Sequence, residues 1–178
     1  MGITLETVRL VLREFALDDL EAFFQLCTNP EVVRYTGDGG LITNLEQARA
    51  GMLARPIADY RKHGFGRYAC VLKSNEQVIG FAGLKYLDDL DAVDLGYRFL
   101  PAYWGIGLAT EASRAALDDG FARLKLPRIL GLVDPENVAS VNVLEKLGLR
   151  YVEMIEYHSS QVAKYAIDAP ASLRQGTP

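Results

Sequence analysis

The first half of the chain combines one strand-like and two helix-like hydrophobic patterns. From Thr7 to Arg13 apolar residues fall at every second position, which predicts a strand. From Asp18 onward they share one helical stripe, and this helix is expected to end near Asn29-Pro30. A second helical pattern covers Asn44–Arg61. Because Pro56 lies inside it, a kink or two short helices are expected.

The second half of the chain predicts strands and helices in alternation. Strands are expected at Tyr68–Lys73, Val78–Tyr86, Ala92–Leu100, Arg128–Val133, Leu149–Tyr157 and Gln161–Ile167, and helices at Leu108–Leu124 and Asn137–Leu147. This order predicts an α/β or α+β fold, a mixed sheet with helices on both faces. We expect a single domain over residues 1–168, followed by a flexible tail over residues 169–178.

The composition narrows the possible partners and the compartment. The chain has 178 residues, of which 49% are apolar and 24% charged, and this is typical of a globular domain. A net charge of −4 disfavours nucleic acid, and no apolar run approaches the ~20 residues of a membrane helix. No metal motif is present, so Cys27 and Cys70 are expected to be buried thiols. The N-terminus resembles no targeting segment, and we expect a cytoplasmic protein.

The segment Leu100–Glu111 is the strongest candidate for chemistry. A strand ends, Gly105 and Gly107 follow, and a helix begins at once. Free N–H groups at a helix start bind anions, and glycines let the backbone approach a phosphate closely. A tight turn that needs glycine for its own geometry is the alternative. Thr110 breaks the dinucleotide fingerprint, and no Gly-Lys-Ser/Thr of a P-loop is present.

The same segment resembles the acyl-CoA loop of the GNAT superfamily of N-acetyltransferases. Trp104-Gly-Ile-Gly-Leu-Ala109 matches the pattern Gln/Arg-x-x-Gly-x-Gly/Ala except at its first position, and Trp there is similar to the branch of ribosomal-protein N-terminal acetyltransferases. Thr7–Arg13, Gly80–Gly83 and Asn137–Leu149 resemble that branch too. The likeness covers residues 7–167 in the same order.

The resemblance implies a set of cofactor contacts, with acetyl-CoA as co-substrate, no metal and a homodimer left open. The contacts it implies are main-chain groups of Phe99 and Leu100, the loop residues Trp104, Gly105, Ile106, Gly107, Leu108, Ala109 and Thr110, and the side chains of Asn137, Ser140 and Lys146. A backbone N–H near Leu100 is expected to bind the oxyanion. The acceptor pocket is expected to be lined by Tyr35–Asp59 and His158–Gln161.

The catalytic residues are less sharply defined than the loop. Many members of the family have a proton-donating Tyr where this chain has Leu144, and the resemblance implies Ser140 as the acid instead. A helix-capping role for Ser140 is the alternative. Asp94 is the candidate base, against a solvated carboxylate in an Asp-rich stretch. Glu111 is expected to anchor its helix, and His63 and His158 to have surface or packing roles.

Three functions remain open from the sequence. The first is an acetyl-CoA-dependent N-acetyltransferase that acts on a protein α-amino group. The second keeps the reaction but takes a small amine such as an aminoglycoside, a polyamine or an amino acid, and the acidic net charge would attract a cationic acceptor. The third is a non-catalytic CoA-binding module, which the absence of Tyr at Leu144 leaves open.

Overall fold

The structure, a computed structural model, describes residues 2–173 and contains an eight-stranded sheet over that range. The strands are β1 (Thr4–Glu6), β2 (Leu10–Arg13), β3 (Arg67–Leu72), β4 (Gln77–Leu87), β5 (Ala92–Phe99), β6 (Arg128–Val133), β7 (Arg150–Tyr157) and β8 (Ser160–Asp168). Their order in the sheet is β1-β2-β3-β4-β5-β6-β8-β7. Every neighbouring pair is antiparallel except β5 and β6, which are parallel.

Helices cover both faces of the sheet, as the sequence predicted. They are α1 (Leu20–Thr28), α2 (Pro30–Val33), α3 (Leu45–Met52), α4 (Ala58–His63), α5 (Leu108–Ala122) and α6 (Val138–Lys146). Phe23 and Met52 of α1 and α3 pack with Phe81 on one face. On the other face, Leu117 of α5 packs with Leu95. Successive strand residues point to opposite faces, so β4 and β5 contribute to both cores.

The N-terminal strand prediction is wrong in its extent. Thr7–Arg13 is not one strand, because Thr7–Arg9 form the turn of a hairpin between β1 and β2. Val8, expected among the alternating apolar positions, is 89% exposed at this turn. The turn is held from outside by Glu111, whose carboxylate accepts hydrogen bonds from Thr7 and Arg9. That partner lies about a hundred residues away, beyond the reach of a local pattern.

The helix interrupted by Pro56 is confirmed as two helices. A π-helical turn, Leu53–Ile57, joins α3 to α4 and contains Pro56. Proline has no N–H to donate and its ring displaces the preceding carbonyl, so the regular bonding pattern breaks at this point. Helix α4 then ends at Gly64, which adopts a left-handed conformation with φ of 74°.

The cysteines and histidines lie where the sequence predicted them. Cys27 and Cys70 are buried free thiols, and burial raises the pKa of Cys27 to about 11, so its thiol stays protonated at neutral pH. His63 packs against the ring of Tyr86, and His158 is exposed. Of these four residues only Cys27 lines the pocket described below.

The C-terminal segment begins as packed structure, which corrects the expected start of the flexible tail. Ala169 is buried, and its N–H donates to the carbonyl of Pro127 at 2.9 Å. Ala171–Leu173 form a 3-10 turn. The rest of the predicted tail, residues 174–178, lies outside the described residues.

Asp19 is a buried carboxylate whose removal is expected to destabilise the helical layer. Both its oxygens accept hydrogen bonds from Arg13, at 2.7 and 2.8 Å, and one also accepts from the Ala16 amide at 2.8 Å. Burial works to raise the pKa of Asp19, but these hydrogen bonds outweigh it and hold the pKa below its ordinary value.

We expect Asp19→Asn to lower the free energy of unfolding by about 2 kcal/mol at pH 7. A carboxylate whose pKa is lowered by folding stabilises above its unfolded pKa of about 3.9, and that stabilisation is lost as the pH falls through the folded value. Denaturant titrations at pH 7 and below pH 3 measure both states. An equal difference between wild type and variant at the two pH values would contradict this account.

Candidate active site

A gap opens between β5 and β6, the only parallel neighbours of the described sheet. Asp94 and Leu130 are the single paired position, and beyond it β5 stays with β4 while β6 stays with β8. The Asp94 carboxylate accepts a hydrogen bond from the Leu132 amide at 3.0 Å. The Asp94 side chain thus provides the acceptor for the Leu132 amide at the point where main-chain pairing between β5 and β6 stops. This hydrogen bond stabilises the start of the gap.

Asp94 is buried and paired, so the alternative interpretation, that it is a solvated carboxylate, is wrong. Its side chain binds the guanidinium of Arg67 at 2.8 Å, and the residue is 5% exposed. The Arg67 guanidinium passes over Gly96, where an added Cβ would lie 2.3 Å from it, so this position requires glycine. Burial raises the pKa of Asp94, although Arg67 and the Leu132 amide oppose it. A raised pKa is the direction that a general base needs.

Two of the main-chain groups predicted to contact the cofactor, at the end of β5, already have partners within the protein. The Leu100 amide donates to the Ile79 carbonyl at 3.0 Å, and the Phe99 carbonyl accepts from the Trp104 indole at 2.6 Å. Both groups are therefore already bonded within the protein. Because main-chain groups of a strand alternate between its two sides, the Phe99 amide faces the gap instead. It is the main-chain donor that β5 offers at this point.

The glycine loop after β5 has an open, left-handed backbone. Gly105 and Gly107 have φ of 77° and 83°. No atom lies within 4 Å of an added Cβ at Gly105, and Arg9 is the nearest at Gly107, 3.6 Å away. The first intrahelical bond of α5 runs from the Glu111 amide to the Gly107 carbonyl, so the amides of residues 108–110 have no acceptor within the helix.

The loop residues divide into a core position and an exposed rim. The Leu108 side chain is fully buried in the core beneath the sheet, and Ala109 is half-buried beside it. Trp104 and Ile106 are exposed, and Thr110 is half-buried. The first turn of α5 is therefore fixed from below by Leu108 while its amides remain at the surface.

Glu111 anchors α5 to the N-terminal hairpin, as expected, and Arg9 extends that anchor to the loop. The Glu111 carboxylate accepts from the Thr7 hydroxyl at 2.6 Å, the Arg9 amide at 2.8 Å and the Arg9 guanidinium at 2.7 Å. The same guanidinium donates to the Ile106 carbonyl at 2.8 Å. Arg9 thus links Glu111 to the loop and lies close to Gly107. Sequence reasoning missed this residue.

Helix α6 begins on the far side of the gap. The Asn137 side chain caps it by accepting from the Ser140 amide at 3.1 Å. The capping role considered for Ser140 therefore belongs to Asn137. Tyr97 of β5 donates its hydroxyl proton to the Ser140 carbonyl at 3.0 Å, which joins β5 to α6 across the gap.

The remaining α6 positions lie away from this start. Leu144, which stands where many relatives have Tyr, is 2% exposed and packs in the core. Lys146 is exposed in the last turn, two turns along the helix from Ser140. Its carbonyl and that of Leu147 accept from Arg114 of α5. The structure therefore brings Asn137 and Ser140 to the gap, and Lys146 to the opposite end of the helix.

A cavity of about 240 Å³ lies on the other face of β3, β4 and β5, beneath α1, α3 and α4, and we call it the helix-side pocket. Its lining is Phe15, Phe23, Cys27, Asp38, Leu41, Ile42, Gln47, Gly51, Arg55, Pro56, Asp59, Arg67, Phe81, Lys85 and Arg98. Of the two segments predicted to line the acceptor pocket, the first contributes residues between positions 38 and 59 to this cavity, and His158–Gln161 contributes none. Arg67 joins this pocket to Asp94 at the gap.

Comparison with known proteins identifies the family. Residues 9–150 match the family described as acetyltransferase (GNAT) domain. An uncharacterized N-acetyltransferase of Bacillus licheniformis, p20, is 34% identical over 149 residues, which cover 83% of this chain and 82% of the relative. The chain belongs to the GNAT acetyltransferase family and is an N-acetyltransferase.

Two further proteins are similar to this chain, one in sequence and one in fold. The spermidine N(1)-acetyltransferase of Escherichia coli (strain K12) is 30% identical over 141 residues, which cover 77% of this chain and 70% of the relative. RimL, a ribosomal L7/L12 alpha-N-protein acetyltransferase solved in complex with coenzyme A, has the same fold. Its TM-score is 0.80 at 16% identity, with 94% of this chain and 98% of that chain covered.

Residues 2–173 contain neither a cluster of metal-binding side chains nor a helix suited to span a membrane. No group of three or more His, Cys, Asp or Glu side chains in that range is placed to hold a metal ion. No helix in that range has the length and apolar character needed to cross a membrane.

Proposed function

We propose that this chain transfers the acetyl group of acetyl-CoA to a primary amine by direct attack in a ternary complex. The observation that carries the proposal is the gap between β5 and β6, which leads into the glycine loop and the free amides of α5. The family uses acetyl-CoA, and coenzyme A is bound in the solved relative RimL. The gap and the loop together offer one continuous site for an elongated, diphosphate-bearing ligand.

The residues of the loop fit a diphosphate. Gly105 and Gly107 leave room for phosphate oxygens beside the backbone, and the amides of residues 107–110 supply donors at the positive end of α5. The Ile106 carbonyl accepts a hydrogen bond from Arg9, so this loop acceptor is already paired. We assign the diphosphate to the 105–110 amides and the pantetheine arm to the gap, with Asn137 and Ser140 on its far wall.

The proton transfers need a donor for the leaving thiolate and an acceptor for the amine. Bound acetyl-CoA supplies an activated acetyl thioester. The Phe99 amide is placed to donate to the thioester oxygen, an interaction of about 3 kcal/mol. The Ser140 hydroxyl donates the proton to the departing sulfur, and solvent returns a proton to the Ser140 oxygen. Asp94 takes the proton that the amine loses, directly or through water, because each carboxylate oxygen has a second lone pair.

An α-amino group suits this weak set of acid and base residues. At pH 7 an α-amino group with a pKa of about 7.8 is about 14% neutral, whereas a lysine with a pKa of about 10.4 is about 0.04% neutral. Deprotonation of an α-amine therefore requires little from the enzyme. This favours an α-amino acceptor, of a protein or of a small molecule, over a lysine side chain.

The test is release of free thiol from acetyl-CoA with a panel of amines. Thiol release with at least one α-amine is expected. Saturable CoA binding without turnover on any amine would leave a CoA-binding module and overturn the enzymatic proposal.

Ser140→Ala is expected to lower kcat by about a hundredfold, because a general acid contributes about 10²–10⁴-fold, and to raise the Kd for CoA far less, because the diphosphate contacts remain. Steady-state kinetics and equilibrium titration measure the two quantities. Ser74→Ala, in the exposed turn between β3 and β4, is the matched control and should behave as wild type. A Ser140→Ala enzyme with nearly full turnover would remove Ser140 from the mechanism.

A further inference from the structure

The helix-side pocket is positively charged, although the chain as a whole has a net charge of −4. Its ionisable lining residues are four cations, Arg55, Arg67, Lys85 and Arg98, and two carboxylates, Asp38 and Asp59. Arg98 pairs with Asp38 at 2.7 Å, and Arg67 pairs with Asp94 at 2.8 Å. Even when Asp94 is counted, the pocket has one more cation than carboxylate. The local charge therefore opposes the attraction of cationic acceptors suggested by the net charge.

Several of these cations lack partners. Among the described residues, neither Arg55 nor Lys85 makes an ion pair or a side-chain hydrogen bond. Arg67 donates to Asp94 through one Nη atom, and its buried Nε has no partner. A buried guanidinium donor without an acceptor is unsatisfied, so Arg67 can still bind an oxygen through this atom. Lys85 is half-buried, and burial together with the nearby Arg67 charge lowers its pKa. An anion bound beside Arg55, Arg67 and Lys85 would balance their charge and accept their unused hydrogen bonds.

The remaining lining supplies a carboxylate and an apolar wall. Asp59 has no ion pair or hydrogen bond among the described residues, and burial raises its pKa even though Lys85 lies nearby. The rings of Phe15, Phe23 and Phe81 add apolar surface to the lining, and the guanidinium groups of Arg67 and Arg98 lie over the Phe81 ring, 5.9 and 5.6 Å from its centroid. At about 240 Å³ the pocket is smaller than the roughly 300–1,000 Å³ of common ligand sites, which favours a small acceptor.

We propose that the acceptor is a small amine that carries a carboxylate, such as a free amino acid. Arg55, Arg67 and Lys85 bind the carboxylate, Asp59 attracts the ammonium group, and the aromatic wall receives the side chain. The inference rests on the proposed function, because it assigns the acceptor of that same acetyl transfer. The same amine and carboxylate also occur at the N-terminus of an acidic peptide, so the test includes both sources. A polyamine is disfavoured by repulsion from the unpaired cations.

The experiment compares kcat/KM for glutamate and methionine, for their C-terminal amides, for a short peptide with acidic residues after its first position, and for spermidine. A carboxylate bound by charged donors is worth about ten- to a hundredfold, so the free acids should exceed the amides by that factor. Spermidine should be the poorest acceptor. If the acidic peptide exceeds the free acids, the assignment of a small amine is overturned and the acceptor is the α-amine of a peptide.

Two lysine variants distinguish an effect on recognition of the acceptor's carboxylate from a general effect on the enzyme. Lys85→Met should reduce the preference for acid over amide by about tenfold and leave the Kd for CoA unchanged. Lys62→Met, at an exposed lysine that pairs with Asp88 outside the pocket, should keep the wild-type preference. An unchanged preference in Lys85→Met, or spermidine used as well as the acids, would overturn the inference.

A binding measurement distinguishes failure of this inference from failure of the proposed function. Calorimetric titration of N-acetylmethionine and its amide into the CoA complex requires no turnover. Tighter binding of the acid, lost in Lys85→Met, supports the carboxylate site even if every amine proves inactive. Equal binding of acid and amide in the wild type refutes the site even if acetyl transfer is observed.

Discussion

Replacing Gly107 by glutamate is expected to raise the Kd for acetyl-CoA at least a hundredfold, equivalent to about 2.7 kcal/mol. Gly107 has a φ of 83°, a left-handed conformation that costs a side-chain-bearing residue about 1–2 kcal/mol. The new carboxylate would also lie at the start of α5, where we place the diphosphate, and would repel it. Equilibrium titration with CoA measures the change.

Gly64→Glu provides the matched control for this experiment. Gly64 also has a left-handed backbone, with φ of 74°, and open space where a Cβ would be, but it caps α4 and is distant from the loop in the chain. Both variants should lose similar stability, and only Gly107→Glu should lose CoA. Intact CoA binding by a folded Gly107→Glu protein would remove the basis for the assigned loop.

Asp94→Ala is expected to have the largest effect on stability, a loss of about 3–5 kcal/mol in the free energy of unfolding. The substitution leaves the Arg67 guanidinium partly buried without a counter-charge and the Leu132 amide without an acceptor. Denaturant titration measures the loss. A change below about 1 kcal/mol would show that the gap does not depend on this carboxylate.

The catalytic role of Asp94 is tested separately, with Asp94→Asn. The amide keeps an acceptor for Leu132 and the size of the side chain, but it cannot take a proton. If Asp94 is the base, kcat should fall and the acid limb of the pH profile of kcat should disappear. A lower kcat with an unchanged acid limb would assign Asp94 a positioning role only.

The sequence predicted the features that depend on neighbours in the chain. Alternation and helical stripes located nearly all strands and helices to within a few residues, and Pro56 indicated the break between α3 and α4. The glycine loop was recognisable for the same reason, since Gly105 and Gly107 are two residues apart and directly precede a helix. The GNAT resemblance added the family, which the comparisons confirm.

The sequence did not predict features that arise from contacts between distant residues. The alternating pattern placed Val8 in the core. It is exposed because it lies in a turn whose neighbouring residue, Arg9, is hydrogen-bonded to the distant Glu111. Asp94 looked solvated because its neighbours in the chain are acidic, whereas Arg67 on another strand buries and pairs it. The availability of the Leu100 amide also depends on strand pairing, and pairing with Ile79 removes it.

The bridge from Thr7 and Arg9 to the loop has a consequence for the order of assembly. Its bonds join positions 97 to 104 residues apart, so the loop acquires its final support only when the first hairpin docks against α5. Such long-range contacts are slow to form. During synthesis, Thr7 and Arg9 can form these bonds only after the segment around Glu111 has left the ribosome. An extension or truncation at the amino terminus should therefore weaken coenzyme binding before it lowers global stability.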